Sequence, residues 1–449
     1  MPGQDHFYVV ELKDEATYRK AEAAIGGLLK TVDGKALDWL SGTTYVLAKA
    51  AQADLQTRFR TTGAMLNEIN LALRLSPPMT HASPERVGDL LAQRSGGSAP
   101  ASRAVGAPTE TDTPWHIHDI RIREAQAAVD ASADKVPMEQ IRLAHPDTGY
   151  SQHSVFGDWG ADGSHPTIRG DLGKDFVDGG KPLDPIATDY AGFPGHGTRI
   201  LSVIAGNNER LLGVAPGVTV LPYRVTKTVV IHVLGNDARL GEAIEDAIKQ
   251  GCHVVNISLG DPCQAKRRLG RAVDRAYEAG VIIVAAAGNV VDRVTAPGRY
   301  DRTITAGGST RAKRPWAGAS RGPAVDVCAP ADEIFRADWE LIGHGQLRET
   351  YDDIGDGTSY ATAHISGIAC LWRAHWGARI EATYREGWQR VEAFRHLATA
   401  TATKPPYWAG GGRDYGAGII DALKVVTSPL PKPAILKKRE RRAADQIFG

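Results

Sequence analysis

The chain has 449 residues, 42% of them apolar and 23% charged, with 49 glycines. That is the make-up of a globular protein rich in turns and excludes a disordered or fibrous chain. A formal net charge of +1 argues against a field built for nucleic acid or an anionic membrane.

The opening residues MPGQDHFYVVELKDE lack the basic, apolar and small-residue pattern of a secretory signal, so cytoplasm is the expected location. Residues 1–75 read as a small α+β unit. Phe7–Leu12 predicts a strand, Asp14 caps a helix running to about Leu29, and strands follow at Leu37–Leu40 and Thr44–Ala48. A short helix over Ala51–Arg60 and an alternating strand over Leu66–Leu73 complete a βαββαβ, ferredoxin-like order.

Residues 76–113 change to Pro, Ser, Ala, Gly and Thr, as in GGSAPASRAVGAPTETDT, which predicts a flexible linker with one short helix around Pro84–Arg94. From residue 114 to 427, apolar strand runs alternate with helical segments, the mark of a parallel sheet covered by helices. The clearest strand runs are Val218–Tyr223, His253–Ser258, Val281–Ala286 and Thr303–Ala306, with a helix over Lys266–Ala279. Residues 428–449 carry prolines and the basic run KKRERR and read as a solvated basic tail. No apolar run is long enough to span a bilayer.

The four cysteines, Cys252, Cys263, Cys328 and Cys370, have no metal-ligand spacing and read as buried small hydrophobes of a reducing compartment. Asn207-Asn208-Glu209 offers too few oxygens for a calcium loop. No metal and no cofactor is expected.

Three motifs carry chemistry. His145-Pro146-Asp147-Thr148-Gly149 closes a strand, which puts a carboxylate at the carboxyl edge of a parallel sheet, where α/β sites form. Gly195-His196-Gly197-Thr198 opens a helix, with glycines that leave room for substrate beside a general base. Gly357-Thr358-Ser359-Tyr360-Ala361-Thr362-Ala363-His364 places Ser359 at the start of an apolar helix, where backbone N–H groups and the helix dipole favour an oxyanion. Singly these are a turn, a surface histidine and a helix cap. Together they supply a nucleophile, its base and the carboxylate that orients the base: Ser359, His196 and Asp147. Asn289, ending the Val281–Ala287 run after Gly288, is placed to give an amide donor to the oxyanion.

With these residues in view, the chain resembles the subtilase family of serine peptidases. The likeness lies in Asp147-Thr148-Gly149, in Gly195–Thr198, in NISLG (Asn256–Gly260), in AAAGN (Ala285–Asn289) and in GTSYATAHISG (Gly357–Gly367). Trp115–Val129 resembles the start of the mature catalytic domain and Tyr415–Ala422 its end. The resemblance implies a mostly parallel seven-stranded sheet between helices and cleavage of peptide bonds through an acyl-enzyme. It implies that Ser258, Leu259 and Gly260, with Ala285, Ala286, Ala287 and Gly288, hold substrate backbone and wall the specificity pocket. Thr295 falls near that pocket's floor and shortens it. Protein or peptide is the implied partner, with no nucleic acid and no membrane.

The N-terminal unit stands where subtilases carry a prodomain, which implies an intramolecular inhibitor or else a regulatory domain. Three residues depart from the family: Arg199 replaces a second histidine, Ala363 replaces a proline, and Pro146 precedes the motif aspartate. A peptide-binding pseudoenzyme and a narrow processing peptidase or peptide ligase are the alternative functions.

Overall fold

The computed structural model describes three short N-terminal strands and residues 114–446, apart from 185, 187–194, 230, 232–235, 262–266, 290–292, 343–345 and 409–413. The N-terminal strands are β1 (Tyr8–Glu11), β2 (Leu29–Lys30) and β3 (Thr44–Leu47), antiparallel in the order β1-β3-β2. A βαββαβ unit produces that order. Leu29 ends the expected helix in the sequence reading but lies in β2 here. The expected strands at Leu37–Leu40 and Leu66–Leu73, the Ala51–Arg60 helix and the 76–113 linker lie outside the described residues.

The main sheet has seven strands: β4 (Arg142–Asp147), β5 (Lys174–Asp175), β6 (Thr219–Arg224), β7 (Val254–Ile257), β8 (Ile282–Ala286), β9 (Ile304–Ser309) and β10 (Val327–Pro330). Their order is β10-β9-β8-β7-β4-β6-β5, and every neighbouring pair is parallel. Strands such as VVNI and IIVAA are apolar without alternation because both faces of the sheet are covered. The four strand runs read from sequence appear within a residue or a few of their expected ends.

One face is covered by α1 (Trp115–Asp119), α2 (Ile122–Ala131) and α3 (His196–Ala205), together with the long helix introduced next. The other face is covered by α4 (Asn236–Lys249) and α5 (Arg267–Ala279). α6 (Thr358–Trp376) crosses β7 to β10 and is buried from Thr358 to Ala374, so its apolar character on all sides fits a core helix. Ala363 sits inside it without a break. α7 (Ala378–Thr383), α8 (Gly387–Ala400) and α9 (Ala422–Thr427) finish the helical layer. An antiparallel hairpin, β11 (Ile334–Ile342) with β12 (Gln346–Gly355), precedes α6 and packs on α3. Among the described residues no helix is long and apolar enough to cross a membrane.

The C-terminal segment corrects the expectation of a solvated tail. Asp274 of α5 accepts from the backbone N–H of Ala443 (2.8 Å) and of Ala444 (3.1 Å). The Tyr277 hydroxyl accepts from Arg439 N–H at 2.9 Å, and Tyr384 donates to Pro431 O at 2.8 Å. Ala443, Ala444 and Gln446 are buried while the basic side chains around them are mostly exposed. Most of the charges are exposed, but backbone groups, the Lys438–Glu278 pair (2.8 Å) and the Gln446 side chain, which accepts from Asp301 N–H at 2.9 Å, bind the segment down as a strap.

Cys252, Cys328 and Cys370 are free and buried, in line with the sequence reading, and Cys263 lies outside the described residues. Asn208 is engaged structurally: its amide donates to Ser154 O and to the Tyr351 hydroxyl.

Candidate active site

β4 ends on Asp147, which is fully buried at the carboxyl edge of the sheet. Its Oδ1 accepts from Thr148 N–H at 2.7 Å and meets His196 Nδ1 at 2.7 Å. Burial would raise the Asp147 carboxyl. Attraction and hydrogen bonding from His196, the nearby His145 and the Thr148 N–H outweigh it and hold the group below the usual carboxylate value. Since Asp147 is ionised, it accepts, and His196 carries its proton on Nδ1. That leaves Nε2 as the basic nitrogen.

His196 opens α3 because Gly195, at φ 76°, takes the left-handed turn into the helix. Gly197 follows from close approach: a Cβ there would lie 2.0 Å from Gly149 O. Only glycine lets the histidine helix come this near the aspartate loop.

Ser359 is held at the first turn of α6. Its Oγ donates to Ser258 O at 3.2 Å, and Ser258 Oγ donates back to Ser359 O at 3.0 Å. Asn289 caps the same turn. Its Oδ1 accepts from Thr358 N–H at 3.0 Å and lies 2.9 Å from Thr358 Oγ1. A backbone N–H can only donate, so the amide orientation is set and Nδ2 is left as the donor at the helix end. Tyr360 N–H is spent on Gly357 O, which leaves the Ser359 N–H as the second donor at that end.

Sequence reasoning missed a polar hub beneath the site. His145 Nε2 bonds Gly197 O at 3.0 Å, so it donates, and His145 Nδ1 accepts from Asn256 Nδ2 at 3.3 Å. Burial first of all lowers the His145 pKa, which keeps the ring neutral. Asn256 Nδ2 also donates to Ser258 Oγ at 3.1 Å, and its Oδ1 accepts from Ser366 Oγ at 2.9 Å. One asparagine thereby ties the histidine helix to the serine helix. Its place in NISLG was visible, but its partners were not.

The expected pocket residues come together. Thr295 lies between Gly260 and Gly288: a Cβ on either glycine would approach the Thr295 side chain to 2.5 Å. Thr295 Oγ1 donates to Ala287 O at 3.2 Å. Leu259, Ala285, Ala286 and Ala287 are buried, so their side chains support the walls from within. Gly260 is already paired inside the chain, its N–H donating to Val229 O and its carbonyl accepting from Ile231 N–H.

Arg199, the departure from the family's histidine, donates from Nε to Asp338 Oδ1 of β11 at 2.7 Å. Asp338 also accepts from Arg336 at 2.8 Å, and Arg336 meets Asp352 at 3.2 Å. Burial would raise Asp338, but the two arginines outweigh it and keep it below the usual value. Trp339 Nε1 donates to Ser151 Oγ at 2.6 Å, and Ser151 Oγ bonds Thr198 Oγ1 at 2.9 Å. Two adjacent residues of the hairpin therefore hold two adjacent residues of the histidine helix.

A parallel sheet bearing an aspartate–histidine pair and a helix-end serine at its carboxyl edge is the frame of a serine hydrolase. Comparison with known proteins narrows this. A model of the subtilase family matches residues 156–425, a span that takes in His196, Asn289 and Ser359 and begins after Asp147. Subtilisin DY of Bacillus licheniformis is 30% identical over 246 residues, covering 53% of this chain and 80% of that protein. The major intracellular serine protease of Bacillus subtilis is 28% identical over 260 residues, covering 54% and 74%. The solved structure of MycP1 with its N-terminal propeptide removed has 25% identity and a TM-score of 0.52, covering 72% of this chain and all of that one. The chain belongs to the subtilase family and is a serine-type endopeptidase.

Proposed function

We propose that Asp147, His196 and Ser359 are the catalytic triad of this endopeptidase, with Asn289 Nδ2 and the Ser359 N–H as oxyanion donors. The observation that carries the reading is the 2.7 Å contact of buried Asp147 with His196 Nδ1. Ser359 Oγ attacks the scissile carbonyl carbon while His196 Nε2 takes its proton. Asp147 stabilises the imidazolium, and the two donors hold the tetrahedral oxygen. The C–N bond then breaks as His196 returns the proton to the leaving amine. Water, deprotonated by the same histidine, frees the acid and restores Ser359. Ser359→Ala should abolish turnover in a folded protein, and a fluorophosphonate should label Ser359 of the wild type. Turnover persisting in the folded variant refutes the triad, and a wild type that takes no label supports the pseudoenzyme alternative.

Thr295 between Gly260 and Gly288 leaves a shallow pocket, which favours a small side chain on the acyl side of the cut bond. Profiling of cleavage sites in a peptide library tests this, and a preference for large aromatics at that position refutes it.

Residues 1–75 act as a prodomain-like inhibitor, supported by the βαββαβ pattern and the β1-β3-β2 order. The wild type should then nick itself within residues 76–113 while Ser359→Ala stays full length. A wild type that stays intact while cutting other peptides favours a permanent regulatory domain. The enzyme works in the cytoplasm, a reading supported by three buried reduced cysteines and by likeness to an intracellular relative; recovery in the secreted fraction refutes it.

A further inference from the structure

We infer that Asp184 is a positioning residue of the active site: one buried carboxylate that holds the aspartate loop and the start of the histidine helix in register. The inference rests on the triad reading above.

Asp184 is 8% exposed and carries no part of the three motifs. Its Oδ2 accepts from Thr148 Oγ1 at 2.5 Å and from Gly195 N–H at 2.9 Å. Its Oδ1 accepts from Ile186 N–H at 3.0 Å, and its own N–H donates to Tyr150 O at 2.8 Å. Thr148 is the residue after Asp147, and Gly195 is the residue before His196. One oxygen thus grips the chain next to each member of the pair. Thr148 Oγ1 closes the loop by accepting from Gly197 N–H, on the other side of His196, at 3.0 Å. The histidine is held at both flanking peptides by a two-residue relay that begins at Asp147's neighbour.

The directions in this relay are forced. Gly197 N–H and Gly195 N–H can only donate, so Thr148 must spend its hydroxyl hydrogen on Asp184. Asp184 therefore faces three donors and must accept from all of them, which a carboxylate does and an amide cannot. Burial acts first on this carboxyl and raises its pKa, while the bonds from Thr148, Ile186 and Gly195 oppose the rise. Other groups account for the rest of the pair's geometry: Thr148 N–H fixes the Asp147 oxygen, and His145 fixes Gly197 O. Asp184 joins Thr148, which holds the peptide after His196, to the peptide before it at Gly195. A misplacement of about 1 Å at the reacting groups can cost on the order of a hundredfold in rate, so the relay is expected to act on kcat.

Asp184→Asn leaves one of the three donors facing an NH2 group. It should lower kcat about ten- to a hundredfold with KM within about threefold of wild type. The rate of fluorophosphonate labelling at Ser359 should fall in parallel. Thr148→Val, which keeps the shape and removes the hydroxyl, should do the same, and Thr148→Ser should recover most of kcat. The Asp184→Asn, Thr148→Val double variant should be little worse than either single one, because both cut the same link. If Asp184→Asn does not fold, the Thr148 pair alone decides. A folded Asp184→Asn or Thr148→Val with kcat within twofold of wild type, or a loss confined to KM, overturns the inference. Labelling absent from Ser359 in the wild type marks failure of the triad reading instead.

Discussion

Asn289 caps one helix end and is proposed to serve the oxyanion there, and two substitutions separate these roles. Its Oδ1 accepts the Thr358 N–H at 3.0 Å, a capping contact, and its Nδ2 is the donor assigned to the oxyanion. Asn289→Ala removes both. Losing the cap should cost about 1 kcal/mol of stability. Losing one preorganised oxyanion donor should lower kcat by about a hundred- to a thousandfold, or about 2.7–4 kcal/mol. Asn289→Asp keeps the acceptor and replaces the donor by a second oxygen. A negative charge beside the first turn of α6 stabilises the helix by a few tenths of a kcal/mol, roughly. The aspartate variant should therefore melt no lower than wild type yet lose at least as much kcat as the alanine variant. KM should move little in either, because the amide bonds the charged tetrahedral state more than the ground-state carbonyl. Steady-state kinetics on one peptide gives kcat and KM. Thermal unfolding in a Ser359→Ala background gives stability free of self-digestion. An Asn289→Asp enzyme with kcat within threefold of wild type would show that this amide is not the donor.

Two other structural features predict measurable behaviour. His364 donates from Nδ1 to Tyr360 O and receives His116 Nδ1–H on Nε2, so protonating His364 would set two donors face to face. Burial pushes His364 down to about 4 and His116 well below its ordinary value. Between that value and about 6.5 the unfolded chain binds more protons than the folded one, so stability is full above about 6.5 and falls with pH below it. His364 alone should account for a loss on the order of 2–3 kcal/mol by pH 4.5. Urea unfolding at pH 7 and 4.5 checks this, and a pH slope unchanged in His364→Gln refutes it. Gly260 is paired to Val229 and Ile231, and Ile231 is fully buried in the core. Peptide residues beyond the second on the acyl side should therefore add less than about threefold to kcat/KM, because strand pairing alternates by two and the third residue would need the Gly260 edge. A tenfold gain from a two- to a four-residue acyl side would show that the segment yields.

The site was legible where chemistry and backbone constraint share a few adjacent residues. Asp147, His196 and Ser359 each stand at an element end marked by glycine, and the structure pairs Asp147 with His196 and Ser359 with Ser258. The sheet strands were legible because double burial removes polar alternation. What escaped the sequence is pairing across long separations. Arg199 meets Asp338 from 139 residues away, and nothing in either neighbourhood selects the other among the chain's charges. Asp184 looks like any loop aspartate until Thr148 and Gly195 converge on it. The tail misled for a related reason. Composition reports its side chains, which are charged and mostly exposed, but much of its attachment is made by main-chain groups of Arg439, Ala443 and Ala444.

The same distinction explains how the chain absorbs its departure from the family. A histidine after Gly197-Thr198 is replaced by Arg199, whose longer reach and permanent charge call for a counter-charge in this partly buried place. The hairpin supplies it at Asp338 and then balances Asp338 with Arg336, and Arg336 with Asp352. One substitution in the histidine helix is thus legible as a departure, while the ion chain that makes it tolerable is written on two strands that precede the serine helix. Removing Asp338 would take one carboxylate from both Arg199 and Arg336, so the hairpin and the histidine helix are electrostatically one unit.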